Sequence, residues 1–261
     1  MGSITSFLIV IFVVGFVTGG LKIRFDRFFA ILMLMTVAGK GIRSAIDLFL
    51  WVIMLGSLYI ILENQEKIKK MPKAALIKFF TFIPIMTFFS SLLGSYLNSL
   101  SSNKFLTITL GILALLYGLR MIFIHFKDHE MDHKDPKPGF VKFCGFFGPI
   151  ISGFSIGFIG TSLKSLKLPL AIKSGKMNAK QVYLGNTMTA FFSSLFAIMW
   201  HYIFTPSMEA FDSYIYAISL WASIHFVYDL TNVFFKDKWR KGFQIFIGIA
   251  LVLVSFKIFS M

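Results

Sequence analysis

Apolar residues in this chain come in long blocks. Runs with little or no charge cover residues 4–21, 44–62, 79–103, 105–119, 143–163, 181–208, 213–228 and 242–256. Most approach or exceed the roughly 20 residues that a helix needs to cross the hydrocarbon of a bilayer. The blocks predict an all-α, polytopic integral membrane protein. Two further runs, 28–39 and 168–172, are too short to span alone, and each follows a glycine-rich interruption.

The interruptions are alike. Gly15-Phe16-Val17-Thr18-Gly19 leads into Gly20-Leu21-Lys22-Ile23-Arg24, and Gly153-Phe154-Ser155-Ile156-Gly157 leads into Phe158-Ile159-Gly160-Thr161-Ser162-Leu163-Lys164. Non-helical backbone at membrane depth survives only where it is buried or lines a cavity, so paired breaks point to the substrate site of a secondary transporter. At an offset of 137 to 138 residues the two breaks align, as do Leu55–Leu58 with Phe192–Leu195 and Gly111–Leu115 with Gly248–Val252. An internal duplication follows. It gives an N-terminal repeat over 1–126, a linker over 127–142 and a C-terminal repeat over 143–261.

Charge in the loops sets the orientation. Segments 63–73, 127–142, 173–180 and 236–241 are rich in Lys and Arg and are expected inside, whereas 98–104 and 205–212 together hold one Lys and are expected outside. Residues 44–62 then run inward and their repeat mate, 181–204, runs outward. The repeats are therefore expected to be inverted, each with a re-entrant or half-helix segment followed by three transmembrane helices. Lys40 and Arg43 depart from the charge rule. They belong either to a vestibule of the site or to a first broken segment placed differently.

Composition agrees with membrane residence: the chain has 261 residues, 56% of them apolar, 33 Phe and a mean hydropathy of +0.76. Its net charge of +14 lies in loops that meet lipid headgroups, so nucleic acid is not an expected partner. The single cysteine, Cys144, excludes an intrachain disulfide framework. No cleavable signal is visible at the N-terminus, so the first apolar run is expected to stay in a multi-pass protein of the cell membrane.

Several residues could carry chemistry. A helix starting at mid-membrane offers unpaired N–H groups and a positive dipole end to an anion. Gly19, Gly20, Gly157 and Gly160 permit close approach, Thr161 and Ser162 add hydroxyls, and Lys22 and Lys164 add charge. Glycine packing between helices, with snorkelling cations, is the plainer reading of either motif alone. Their recurrence favours a site. Asn186 and Thr187 lie early in a charge-free span and are candidate substrate contacts. Trp221, His225, Asp229 and Asn232 share one helical face, which makes His225 and Asp229 a candidate proton-coupling pair, against a structural hydrogen bond and a headgroup-level carboxylate. His125, His129 and His133 recur every four residues, a metal-compatible spacing in what otherwise reads as a hydrated linker. No catalytic triad, nucleotide loop or zincin motif is visible. No enzyme, cofactor or bound metal is expected.

Laid out in this way, the chain resembles the TauE/SafE sulfite exporter (TSUP) family of membrane permeases over nearly its whole length. The similarity is strongest at Pro149-Ile150-Ile151-Ser152-Gly153-Phe154-Ser155-Ile156-Gly157-Phe158-Ile159-Gly160 with the later Pro169, and at Ser90-Ser91-Leu92-Leu93-Gly94-Ser95-Tyr96-Leu97 followed by Leu115-Leu116-Tyr117-Gly118-Leu119-Arg120. The family's denser glycine run is replaced here by Thr161 and Ser162, which narrow the pocket and add hydroxyls. The resemblance implies export of sulfite or a small organosulfonate, linked to the proton gradient. Expected partners are a small anionic substrate and the lipid bilayer, with a homodimer left open. A metal or cation permease and a non-transporting scaffold are the alternatives.

Overall fold

The computed structural model describes residues 4–21, 27–126, 138–161, 179–205 and 210–259. Among them there is no strand. The helices are α1 Ile4–Gly20, α2 Arg27–Thr36, α3 Ile42–Glu63, α4 Gln65–Lys69, α5 Lys73–Ile77, α6 Ile83–Leu100, α7 Asn103–Phe126, α8 Pro138–Ile159, α9 Ala179–Phe204, α10 Ala210–Phe234 and α11 Asp237–Phe259. A π-helical turn, Lys78–Phe82, joins α5 to α6.

Five stretches among the described residues are long and apolar enough to cross a membrane: Ile42–Glu63, Lys73–Leu100, Asn103–Phe123, Leu184–Phe204 and Lys238–Phe259. The shorter apolar helices Thr5–Gly20 and Phe146–Ile159 are those that run into the two breaks. Side chains are sorted as lipid requires. Phe12, Phe89, Leu93 and Leu253 are more than half exposed, while Ser57, Thr87, Ser91, Ser95, Ser193 and Ser194 are buried. In water such apolar exposure would be a liability. In a bilayer it meets acyl chains, and small or hydroxylated residues let helices approach closely.

Two compact units divide the chain. The first comprises residues 1–46, 101–132 and 215–261. In it α7 packs along α11 where two glycines meet: a Cβ on Gly118 would lie 2.7 Å from the Gly248 oxygen, and one on Gly248 would lie 2.9 Å from the Gly118 oxygen. Helix α1 packs on α10, with the Gly15 position 3.1 Å from the Ile224 oxygen and the Gly19 position 2.7 Å from the Tyr228 oxygen. Arg43 donates to the Ser101 carbonyl at 2.6 Å and to Asn103 Oδ1 at 3.0 Å, so its charge ties the start of α3 to the α6–α7 turn.

The second unit comprises residues 47–100 and 133–214. Here α6, α8 and α9 pack against one another. A Cβ on Gly153 would lie 3.2 Å from the Thr87 oxygen and one on Gly157 would lie 2.5 Å from the Ser91 oxygen. Buried hydroxyls in α1 and α8 bond back one turn, Thr18 to the Val14 carbonyl at 2.7 Å and Ser155 to the Ile151 carbonyl at 2.8 Å, so neither is a bare donor.

The two glycine contacts follow one pattern. Gly15 and Gly19 precede Gly153 and Gly157 by 138 residues, and the carbonyls they meet, Thr87 and Ser91 against Ile224 and Tyr228, are offset by 137. Helices α3 and α9 also start 137 residues apart, as do α5 and α10. Each unit takes helices from both halves of the chain, so a broken helix from one half packs on a helix from the other.

Candidate functional site

The second break is built within the second unit. Helix α8 ends at Ile159, and Gly160 takes a left-handed conformation, φ +69°, with its N–H bonded to the Ile156 carbonyl at 2.9 Å. This is an αL helix stop, a conformation that costs glycine nothing and a branched residue a good deal. Thr161 follows, buried.

A helix end buried among apolar helices leaves carbonyls that must find donors. Two come from neighbouring helices. Asn98 Nδ2, near the end of α6, donates to the Phe158 carbonyl at 2.6 Å. His201 Nε2, in the last turn of α9, donates to the Gly157 carbonyl at 2.6 Å. The other ring nitrogen, Nδ1, lies 2.6 Å from Asp47 Oδ1 on α3. The His201 side chain is 4% exposed and that of Asp47 is 15% exposed. Ser95 Oγ is buried beside Gly157 with no protein partner.

Donor chemistry fixes part of the proton inventory. A carbonyl only accepts, so Nε2 carries hydrogen. The contact between Nδ1 and Oδ1 needs a second proton, held by the ring or by the carboxyl group. The pair is neutral overall in either arrangement, which makes it tolerable inside an apolar bundle. Removing one member would leave the other uncompensated, at a cost of about 3–5 kcal/mol.

The first break is capped differently. Arg240 Nη1 donates to the Gly20 carbonyl at 2.9 Å, where α1 ends, and its guanidinium lies 5.9 Å from the Phe235 ring. A fixed positive charge at a helix C-terminus complements the dipole.

The predicted site residues fall into four groups. Gly19, Gly20, Gly157, Gly160 and Thr161 lie at the two helix ends, with the glycines Gly19 and Gly157 in tight helix contacts. Lys22, Ser162 and Lys164 lie outside the described residues, as do residues 127–137 of the predicted linker 127–142 and the side chains of His125, His129 and His133. Asn186 and Thr187 precede His201 on α9 by about 21 Å, at 1.5 Å per residue, so they stand at the other end of that helix from Gly157. Asn186 Nδ2 is buried with no protein partner there. His225 and Asp229 are adjacent, with Nε2 3.4 Å from Oδ2, and the ring stacks between Trp221 and Tyr228. The Asp229 side chain is 58% exposed. Among the described residues no group of three or more His, Cys, Asp or Glu is gathered to hold a metal ion.

The helix ends also show which charge they favour. The described ends of α1 and α8 are C-termini, the negative ends of their dipoles, and their carbonyls already accept from Arg240, His201 and Asn98, whereas the start of α2 at Arg27 puts a helix N-terminus on the far side of the first break. Residues 162–178, which follow the end of α8, lie outside the described residues. No protein-family model, curated protein or solved structure matches the chain.

Sequence reasoning missed Asp47, Asn98 and His201. The signal was present: Asp47 is the lone charge in the run 44–62 and His201 the lone ionisable imidazole in 181–208. Each is costly by itself in a membrane helix, and two such residues of complementary chemistry predict each other.

Proposed function

We propose that this chain is a secondary transporter of the cell membrane, a permease that exports a small sulfur oxyanion such as sulfite or an organosulfonate by alternating access. The observation that carries the reading is the repeated glycine packing. Gly15 and Gly19 on α10, and Gly153 and Gly157 on α6, meet carbonyls at matching positions of the repeat, and each helix ends in a break. Two equivalent bodies, each holding an interrupted helix, are the working parts of inverted-repeat transporters. A scaffold has no need of a second break.

The anion reading rests on the resemblance of the break sequences and on the cations around them, Lys22 and Lys164. Arg120 adds a buried guanidinium nitrogen, Nη1, with no protein partner, a charge that an anion would compensate. A cation permease is less well supported, because the break carbonyls suited to a cation already accept hydrogen bonds from the protein.

The test is sulfite uptake into proteoliposomes, with sulfate and a small organosulfonate as competitors and Lys164→Ala beside the wild type. Saturable uptake, blocked by the organosulfonate and reduced in Lys164→Ala, supports the proposal. Uptake no faster than in protein-free liposomes, from protein that is folded, overturns it.

A further inference from the structure

The imidazole of His201 is held between two acceptors in a helix bundle that offers little else to titrate. Asp47 faces it from α3 and the Gly157 carbonyl faces it from α8. Between Phe146 and Ile159, α8 has no ionisable residue. On α6 the one ionisable side chain is Tyr96, which is 47% exposed and packs on Phe204. On α9 the neighbour Tyr202 is 56% exposed. On α3 Arg43 lies one turn before Asp47, with its guanidinium bonded to Ser101 and Asn103, Tyr59 and Glu63 lie three or more turns further along, and Lys78 sits in the π-helical turn next to Phe79, which lies against Gly185 at the far end of α9. The aspartate is thus the one charged partner of this ring in its unit among the described residues.

Two protons are needed to make both contacts, one on Nε2 for the Gly157 carbonyl and one between Nδ1 and Asp47 Oδ1. With one proton removed, a neutral imidazole has a single N–H and faces a carboxylate on one side and a carbonyl on the other. It can serve one of them only. Loss of a proton therefore either uncaps Gly157 at the break or sets two bare acceptors against each other. In both cases one buried hydrogen bond is lost, at the helix end in the first and between His201 and Asp47 in the second, which is costly inside a membrane. The first break has no such freedom, because its cap is Arg240, a guanidinium that stays protonated in proteins.

We infer that Asp47 and His201 form the proton-carrying element of this transporter, with Asp47 as its mouth and the Gly157 carbonyl as its reader. The partly exposed carboxyl exchanges a proton with water. The proton passes between Nδ1 and Oδ1 and leaves from the carboxyl group, and the ring then turns to give its one remaining N–H to the Asp47 carboxylate, releasing the Gly157 carbonyl; proton uptake reverses both moves. In the orientation that the loop charges predict, α6 and α9 end and α3 begins at the outer face, so the exchange is with the external solution. A proton bound there from outside and given up inside would drive a substrate anion outward. This assigns coupling to Asp47 and His201 in place of His225 and Asp229, and it rests on the permease reading.

The test separates the two. Wild-type, Asp47→Asn, His201→Gln and His225→Gln proteins are placed in proteoliposomes, and sulfite movement is measured in two ways: exchange of labelled sulfite at equal pH, and uptake driven by an imposed pH gradient. The ratio of driven uptake to exchange is expected to fall about tenfold or more in Asp47→Asn and His201→Gln, and to stay near the wild-type value in His225→Gln. A wild-type ratio in folded Asp47→Asn and His201→Gln overturns the inference and leaves the permease reading standing, as does a fall confined to His225→Gln. Absence of both exchange and driven uptake in the wild type sinks the permease reading itself. If both site variants fail to fold, His225→Gln protein decides with a pH-sensitive dye in weak buffer. Sulfite-dependent proton uptake or release in it supports the buried pair, and none overturns it.

Discussion

Replacing Gly157 by alanine tests the packing that holds the second break. The new Cβ would stand 2.5 Å from the Ser91 carbonyl oxygen and 3.0 Å from the Ser95 backbone nitrogen. Both are helix backbone and cannot rotate away, so α6 and α8 must separate by about 1 Å to restore ordinary contact. Overpacking of this kind costs about 1–3 kcal/mol. The same separation stretches the 2.6 Å bond from Asn98 to the Phe158 carbonyl toward the limit of a hydrogen bond, which adds about 1 kcal/mol. The expected total is about 2–4 kcal/mol. Reversible unfolding in mixed micelles, run as a cycle with Asn98→Ala, measures it. Because Gly157→Ala already weakens the Asn98 bond, the double variant should fall short of additivity by about 1 kcal/mol. A Gly157→Ala protein within about 0.5 kcal/mol of wild type, or strict additivity in the cycle, would show that the helix contact is not as tight as described.

Other substitutions have distinct expected outcomes. Gly242→Ala, in an exposed helical position with nothing within 4 Å of the new methyl group, should stabilise the protein by about 0.5–1 kcal/mol in the same assay. Arg240→Ala should destabilise by about 1.5–3 kcal/mol through loss of the Gly20 cap, and Arg240→Lys should recover part of this, read by unfolding at low and high salt. Asn98→Leu leaves the Phe158 carbonyl without its side-chain donor and should cost about 1–3 kcal/mol, more than Asn103→Ala, whose partner Arg43 keeps the Ser101 carbonyl.

The sequence revealed the elements better than their partners. Every uncharged run long enough to span meets a helix, and α1 and α8 carry their Gly-Phe-x-x-Gly motifs as helix and end one to two residues beyond them, because block length and glycine are local signals. Packing is not local. Nothing in Gly153-Phe154-Ser155-Ile156-Gly157 says that its carbonyl partners are Thr87 and Ser91, and nothing in Gly15–Gly19 points to Ile224 and Tyr228. Likewise, nothing in the loop charges points to the bonds that Arg43 makes with Ser101 and Asn103. The candidate site was read from glycines and neighbouring lysines, and the residues that cap it come from α3, α6 and α9, as many as 110 residues away in sequence for Asp47 and Gly157. A lone Asp and a lone His in separate apolar runs carried that information, but His225 and Asp229, adjacent on one helix, offered the easier pattern.

Whether the second break lines a path open to water on both faces is the central claim, and Thr161 reports on it most directly. In a Cys144→Ser background, Thr161→Cys is treated with a membrane-impermeant maleimide in right-side-out and in inside-out vesicles. The account predicts that this residue, only 5% exposed, reacts from each side and that a small organosulfonate slows the reaction. A thiol that stays inert from both sides, yet reacts fully once the protein is unfolded, would contradict it.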